Sequence, residues 1–316
     1  MDASPTSGPT DAGPRHSHAS DIPKGGWMDR YAPATVRPYL RLARLDRPIG
    51  TWLLLFPCWW GIAMASPGWP SLWLMLLFGV GAVVMRGAGC TYNDIVDRDF
   101  DGRVARTADR PIPSGAVSVR QAVAFMAAQA LVGFLILLQL GGTAIWLGVL
   151  SLALIAIYPL MKRVTWWPQF FLGLAFNWGV LMGPAAVLKS VPGWAIVLYI
   201  GGIFWTLGYD TIYAHQDKED DALIGVKSSA RRLGEWTRPA LFFFYAAATL
   251  LFGVAGRLAG LSAPFYGLLA AGGVQLAWQA ARIDYNDPVD CLAMFKSNRL
   301  FGWLVLAAAI AGHVAP

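Results

Sequence analysis

The strongest constraint on this 316-residue chain is one repeated unit. Apolar runs of membrane-spanning length recur from Ile49 to the C-terminal end, divided by short polar or glycine-rich joints. A bilayer core is crossed by about 20 residues of helix, and only helices or closed barrels satisfy the backbone there. The runs fall near 49–66, 71–91, 118–139, 142–160, 167–187, 192–210, 238–256, 263–281 and 299–315. The third and fourth are separated only by Gly141 and Gly142, and the eighth is rich in Ala and Gly. Hydrophobic residues are 56% of the chain and charged residues 14%, too apolar for a soluble domain of this size. The expected fold is all-α: a polytopic membrane protein of about nine transmembrane helices.

Nine spans imply an assignment of sides that the bases can test. Of 25 Lys and Arg, 23 fall in residues 1–50, 86–120, 161–167, 211–238 and 282–299, which alternate onto one side; only Lys189 and Arg257 fall on the other. Bases concentrate on the cytoplasmic side, so the N-terminus and the polar cap are expected there. All 19 acidic residues share that side. The rule for bases does not demand this, so the working face is read as cytoplasmic.

Residues 1–34 read as a disordered polar tail and 35–316 as a single transmembrane domain. The tail has neither a secretory signal nor Arg-rich transit character, which points to a bacterial inner membrane. His16 and His18 read as polar filler. The net charge of +6 requires no nucleic acid, because bases flanking spans favour anionic lipid headgroups. Cys58, Cys90 and Cys291 are scattered and read as packing residues.

Two acidic clusters follow apolar spans, and carboxylates beside hydrocarbon need a reason. If the second span continues as a helix, Asn93, Asp97, Asp101 and Asp94 lie at about 0°, 40°, 80° and 100°, while Asp99 turns away at about 240°. The same projection places Asp210, Asp217 and Asp221 within about 40° of one another, with Glu219 and Asp220 elsewhere. Carboxylates so arranged repel unless a cation lies between them. Hard oxygen donors suit Mg²⁺, which keeps open positions for phosphate oxygens. Two clusters on one face could hold a diphosphate between them through Mg²⁺. The plainer alternative is a pair of solvated loops whose acids pair with Arg98, Arg103 and Lys218. The 117 residues between Asn93 and Asp210 also suit a duplicated helical unit.

Asn93-Asp-Ile-Val-Asp97-Arg-Asp-Phe-Asp101, Arg106-Thr-Ala-Asp-Arg110-Pro-Ile-Pro-Ser-Gly115 and Tyr209-Asp210-Thr-Ile-Tyr-Ala-His-Gln-Asp217-Lys-Glu-Asp-Asp221 resemble the UbiA-type intramembrane aromatic prenyltransferases. Arg44-Leu-Asp-Arg47-Pro-Ile-Gly-Thr-Trp-Leu-Leu-Leu-Phe-Pro57 and the residues around Cys90 are similar to the 4-hydroxybenzoate polyprenyltransferase branch, which acts in ubiquinone biosynthesis. The similarity covers about residues 35–316. It implies helices around a central cavity under a cap, Mg²⁺ on both acidic motifs, and a polyprenyl diphosphate whose tail is open to lipid. No obligate protein partner is implied.

On that resemblance the metal set is Asn93, Asp94, Asp97, Asp101, Asp210, Asp217 and Asp221, with Asp97, Asp210 and Asp217 closest to the chemistry. Asp210 or Asp217 could accept the ring proton, and spacing does not choose between them. Tyr158, Lys162 and Arg103 are candidates for the substrate site, Lys162 and Arg103 for the diphosphate, with Tyr158 and Lys162 read in a short loop, 158–165. Arg163 reads as a membrane anchor. Arg44 suits the carboxylate of the aromatic acid, or an ion pair with Asp46. His215 reads as a polar loop residue, and Trp59, Trp60, Trp166 and Trp167 as an interfacial belt. Other acceptors on the same fold are dihydroxynaphthoate, haem B and a chlorophyllide. A cation-coupled transporter is the rival of another class, disfavoured because the acids lie at one face.

Overall fold

The structure is a computed structural model and describes residue 22 and residues 25–102, 107–223 and 225–314. Its elements are helices, and no strand occurs among the described residues. Two short helices come first, α1 (Trp27–Tyr31) and α2 (Arg37–Leu42). Then follow α3 (Ile49–Ala65), α4 (Leu72–Asp101), α5 (Val119–Leu137) and α6 (Gly142–Val164). The middle of the chain contributes α7 (Pro168–Phe176), α8 (Gly179–Leu188) and α9 (Gly193–Ala214). A 3-10 turn (His215–Asp217), α10 (Lys218–Leu223) and α11 (Ser229–Leu233) form the polar connection to α12 (Thr237–Leu258), α13 (Ala263–Arg282) and α14 (Pro288–Val314).

Each expected span coincides with one of these helices, the fifth with the pair α7 and α8. Six stretches are long and apolar enough to cross a bilayer: α4, α5, α6, α7 with α8, α9 with its 3-10 turn, and Ser229–Leu258. Ile49–Ala65 is apolar but shorter, and α13 and α14 are not among the six. The reasons are compositional: α13 is diluted by Ala and Gly, and the first half of α14 carries Asp290, Lys296 and Arg299. Within the expected tail, α1 is folded, so order begins before residue 35. The rest of the tail, except residue 22 and Gly25 onward, lies outside the described residues.

Local chemistry sets the ends that matter. Ser71 caps α4 by accepting from the Leu74 amide, and Ser118 with Gln121 forms a reciprocal capping box on α5. Gly141, at φ 94°, makes the tight joint between α5 and α6. The break between α7 and α8 comes from Asn177, whose buried amide donates to the Gly173 carbonyl at 2.9 Å and to Thr206 at 2.8 Å. A side chain competing for helical carbonyls ends the helix there.

The helices pack through small residues. A Cβ on Gly61 would lie 2.8 Å from the Val180 carbonyl oxygen, and one on Gly183 would lie 2.6 Å from the Ile62 amide, so α3 and α8 touch backbone to backbone. Trp60, Trp205, Phe252 and Phe301 form the aromatic centre shared by α3, α9, α12 and α14. Trp60 is fully buried and donates to the Gly302 carbonyl at 2.9 Å, so Trp59 and Trp60 are mid-helix packing residues and not part of an interfacial belt.

Candidate active site

α4 runs unbroken for 30 residues and carries the first acidic cluster on its last two turns. The helical projection therefore holds: Asn93, Asp94, Asp97 and Asp101 line one cavity, while Asp99 points out with a 73% exposed side chain beside Arg98. The second cluster is built differently. α9 ends at Ala214, a 3-10 turn follows, and α10 resumes to Leu223, yet Asp210, Asp217 and Asp221 all line the same cavity. The cavity holds about 780 Å³. Arg44, Tyr158 and Lys162 also line it, so every described candidate is brought together; Arg103 lies outside the described residues.

From this charged end the cavity continues between α4, α5, α6 and α8 along apolar walls that include Gly81, Phe134, Leu137, Leu152 and Met182. One end therefore suits a polar head and the other a hydrocarbon tail.

The electrostatics of the first cluster are specific. Asp94 and Asp97 side chains are fully buried. Asp94 accepts from Arg44 at 2.6 Å and from Arg110 at 3.4 Å, and Arg110 also donates to Asp101 at 2.7 Å. Asp97 accepts from Lys162 and, at 3.2 Å, from Arg163, whose guanidinium lies 4.7 Å from the centre of the Phe100 ring. Tyr158–Val164 is the end of α6 and not a loop, which is what directs Lys162 across to α4. Arg163 is thus an ion-pair partner of Asp97, just behind the cavity lining, and not only a membrane anchor. Arg44 adopts φ 56°, a left-handed conformation costing a non-glycine residue roughly 1–2 kcal/mol. Its partner is Asp94 and not Asp46, and its Nη1 is buried without a partner among the described residues.

Sequence reasoning missed Arg86. It lies in α4 seven residues before Asn93, which at 100° per residue is the same face, two turns deeper. Counting it as a base flanking the span obscured that phase. It lines the cavity with its guanidinium over Phe176, and its charge acts on Asp210. Gly50 makes room: a Cβ there would fall 2.1 Å from Arg86 Cζ.

The cap is held by polar contacts. Ser229 accepts or donates with Thr211 at 2.6 Å and its amide donates to Gln169 at 3.1 Å. The Lys227 amide donates to the Lys162 carbonyl at 3.0 Å. His215 is buried, paired with Thr237 at 3.0 Å, and does not line the cavity, so it is a packing residue of the cap and not an open loop residue.

Among the described residues no three acidic, histidine or cysteine side chains are drawn into a ready coordination shell. The donor chemistry nonetheless fits Mg²⁺: six carboxylates and one amide, all oxygen ligands, on opposing walls of one cavity.

These features define a class: a helical membrane protein whose cavity joins two acidic walls to an apolar channel, fit for an amphiphile with an anionic head. Residues 54–305 match the model of the UbiA prenyltransferase family, and the chain belongs to that family. It is 48% identical over 295 residues to a protein of Arabidopsis thaliana named 4-hydroxybenzoate polyprenyltransferase, mitochondrial, covering 92% of this chain and 72% of that one. The human protein of the same name is 48% identical over 286 residues, 90% of this chain and 77% of that one. Among solved structures, the apo UbiA homolog of Aeropyrum pernix superposes with a TM-score of 0.67 at 28% identity, over 83% of this chain and 96% of that one. The Archaeoglobus fulgidus homolog bound to GPP and Mg²⁺ shares the fold, with a TM-score of 0.67 at 20% identity over 87% of this chain and 98% of that one.

Proposed function

We propose that this chain transfers a polyprenyl group from polyprenyl diphosphate to the ring carbon ortho to the hydroxyl of 4-hydroxybenzoate, in ubiquinone biosynthesis. The observation that carries the reading is the single cavity in which both acidic clusters meet an apolar channel. The names of the relatives supply the acceptor.

Asn93, Asp94, Asp97, Asp101, Asp210, Asp217 and Asp221 would hold Mg²⁺. Bound there, the metal neutralises charge growing on the departing diphosphate. Lys162 would offer N–H donors to the same oxygens, and Arg103 is kept as a candidate on its sequence motif alone. The apolar walls orient the tail and keep water from the allylic carbon while its C–O bond breaks. The ring carbon then attacks that carbon, and the displaced ring proton passes to a carboxylate of the second cluster, Asp210 or Asp217. Arg44 keeps Nη2 on Asp94 and presents Nη1 to the carboxylate of the aromatic acid. Tyr158 lines the same cavity as Asp210 and is a candidate contact for the substrate.

The charge distribution supports a multi-pass protein with its N-terminus and cap on the base-rich, cytoplasmic side of its membrane; the relatives are named mitochondrial. Nine crossings suit this sidedness. The deciding assay supplies purified protein with a prenyl diphosphate, Mg²⁺ and, in turn, 4-hydroxybenzoate, dihydroxynaphthoate, haem B or a chlorophyllide. A prenylated 4-hydroxybenzoate by mass is expected; transfer only to another acceptor refutes the assignment.

A further inference from the structure

The first acidic cluster is already charge-saturated. Among the described residues its three carboxylates, Asp94, Asp97 and Asp101, face four cations: Arg44, Arg110, Lys162 and Arg163. A bare divalent ion binding these three carboxylates must compete with the bases already on them at close range, where each unit charge is worth kilocalories. A diphosphate reverses that balance, because it brings negative charge and acceptor oxygens to which the same bases can turn.

The four cations are not equally committed. Arg44 is 8% exposed and clamps Asp94 through a buried pair, so it is fixed. Lys162 and Arg163 reach over from α6 with side chains 29% and 39% exposed, while the Asp97 they grip is fully buried on α4. The acid is therefore enclosed, and the two bases keep open space into which they can turn. Arg110, shared between Asp94 and Asp101, is intermediate.

We propose that Lys162, Arg163 and Arg110 are exchangeable cations: they pair with Asp97 and Asp101 while the site waits and turn to the phosphate oxygens when a diphosphate arrives. The first cluster then takes its divalent cation only together with that diphosphate. Metal and diphosphate binding are reciprocally coupled, since each strengthens the other by the same factor. The inference rests on the diphosphate reading above and adds the order in which charges change partners.

The test needs no turnover. The full chain in detergent is titrated with Mn²⁺, followed by its electron paramagnetic resonance, with and without inorganic pyrophosphate. An Asp217→Asn background keeps the opposite cluster from masking the change. With Lys162 intact, Mn²⁺ alone binds weakly and pyrophosphate tightens it. In Lys162→Gln the competing cation is gone, so Mn²⁺ alone binds about tenfold tighter while pyrophosphate binds about tenfold weaker. Arg163→Gln, with its more exposed side chain, shows the same opposed pair of shifts and guards against a folding artefact. Weaker pyrophosphate with unchanged or weaker Mn²⁺ overturns the exchange and leaves Lys162 a plain phosphate contact. Failure of pyrophosphate to bind at all, even with Mn²⁺, overturns the diphosphate reading itself.

Discussion

The two acidic clusters face each other across one cavity, but they are built on opposite principles. The first ends a continuous 30-residue helix, and its acids are buried and gripped by bases from α2's C-terminal flank, the α4–α5 connection and α6. The second is spread over α9, a 3-10 turn and α10, with Asp210, Asp217 and Asp221 each only partly buried. The division of labour follows: the first wall fixes its acids on one rigid helix and leaves any exchange to the bases on them, whereas the second sets its acids on separate, jointed segments.

The largest expected effect ignores that difference. Asp97→Ala and Asp217→Ala should each lower prenyl transfer at least about 100-fold, because both walls supply metal oxygens, and excess EDTA should do the same to the parent protein. Product formation measures it; substantial turnover by either variant, or full activity in EDTA, removes the bridging metal.

Stability should separate the walls. Asp94→Ala strands the buried Arg44, and breaking a buried pair from one side costs about 3–5 kcal/mol. Asp221→Ala, on the half-buried cap, should cost about 1 kcal/mol or less. Unfolding in denaturing detergent reads both, and equal losses would end the contrast.

What the sequence made legible follows the same divide. The regular period of α4 let a projection separate Asn93, Asp94, Asp97 and Asp101 from Asp99, because an uninterrupted helix has a fixed 100° step. Across the second cluster the step is broken at the 3-10 turn, so the agreement there owes more to the cap folding over the cavity than to phase. The partners of the acids were hidden. Arg44 and Lys162 reach Asp94 and Asp97 across 50 and 65 residues of chain, and no local pattern encodes such pairs. The break at Asn177 was equally invisible, since it depends on a contact with Thr206 on α9.

Arg86 offers a smaller test: it stands on α4, the rigid wall, while its charge acts on Asp210 of the jointed one. Gly50→Ala adds one methyl where the guanidinium lies, 2.1 Å from Cζ, and the flexible side chain must shift, which changes the field it exerts on Asp210. The expected outcome is a loss of about tenfold in kcat/KM, or about 1.4 kcal/mol, with unchanged thermal stability. Arg86→Leu should lose at least as much, whereas Gly50→Ala with full activity would mean that Arg86's placement does not serve the reaction.

The smallest effect should come from Arg163. It touches the rigid wall by a 3.2 Å ion pair to Asp97 and by its stack on Phe100, but its side chain is 39% exposed. Solvent screens such a pair, and Lys162 remains on Asp97 when it is lost. Arg163→Gln should therefore shift unfolding by less than about 1 kcal/mol, well below Asp94→Ala. A loss comparable to that of Asp94→Ala would place Arg163 among the structural pairs with Arg44 and remove it from the exchangeable set. The division on the first wall would then run between acids and bases, and not between buried and exchangeable cations.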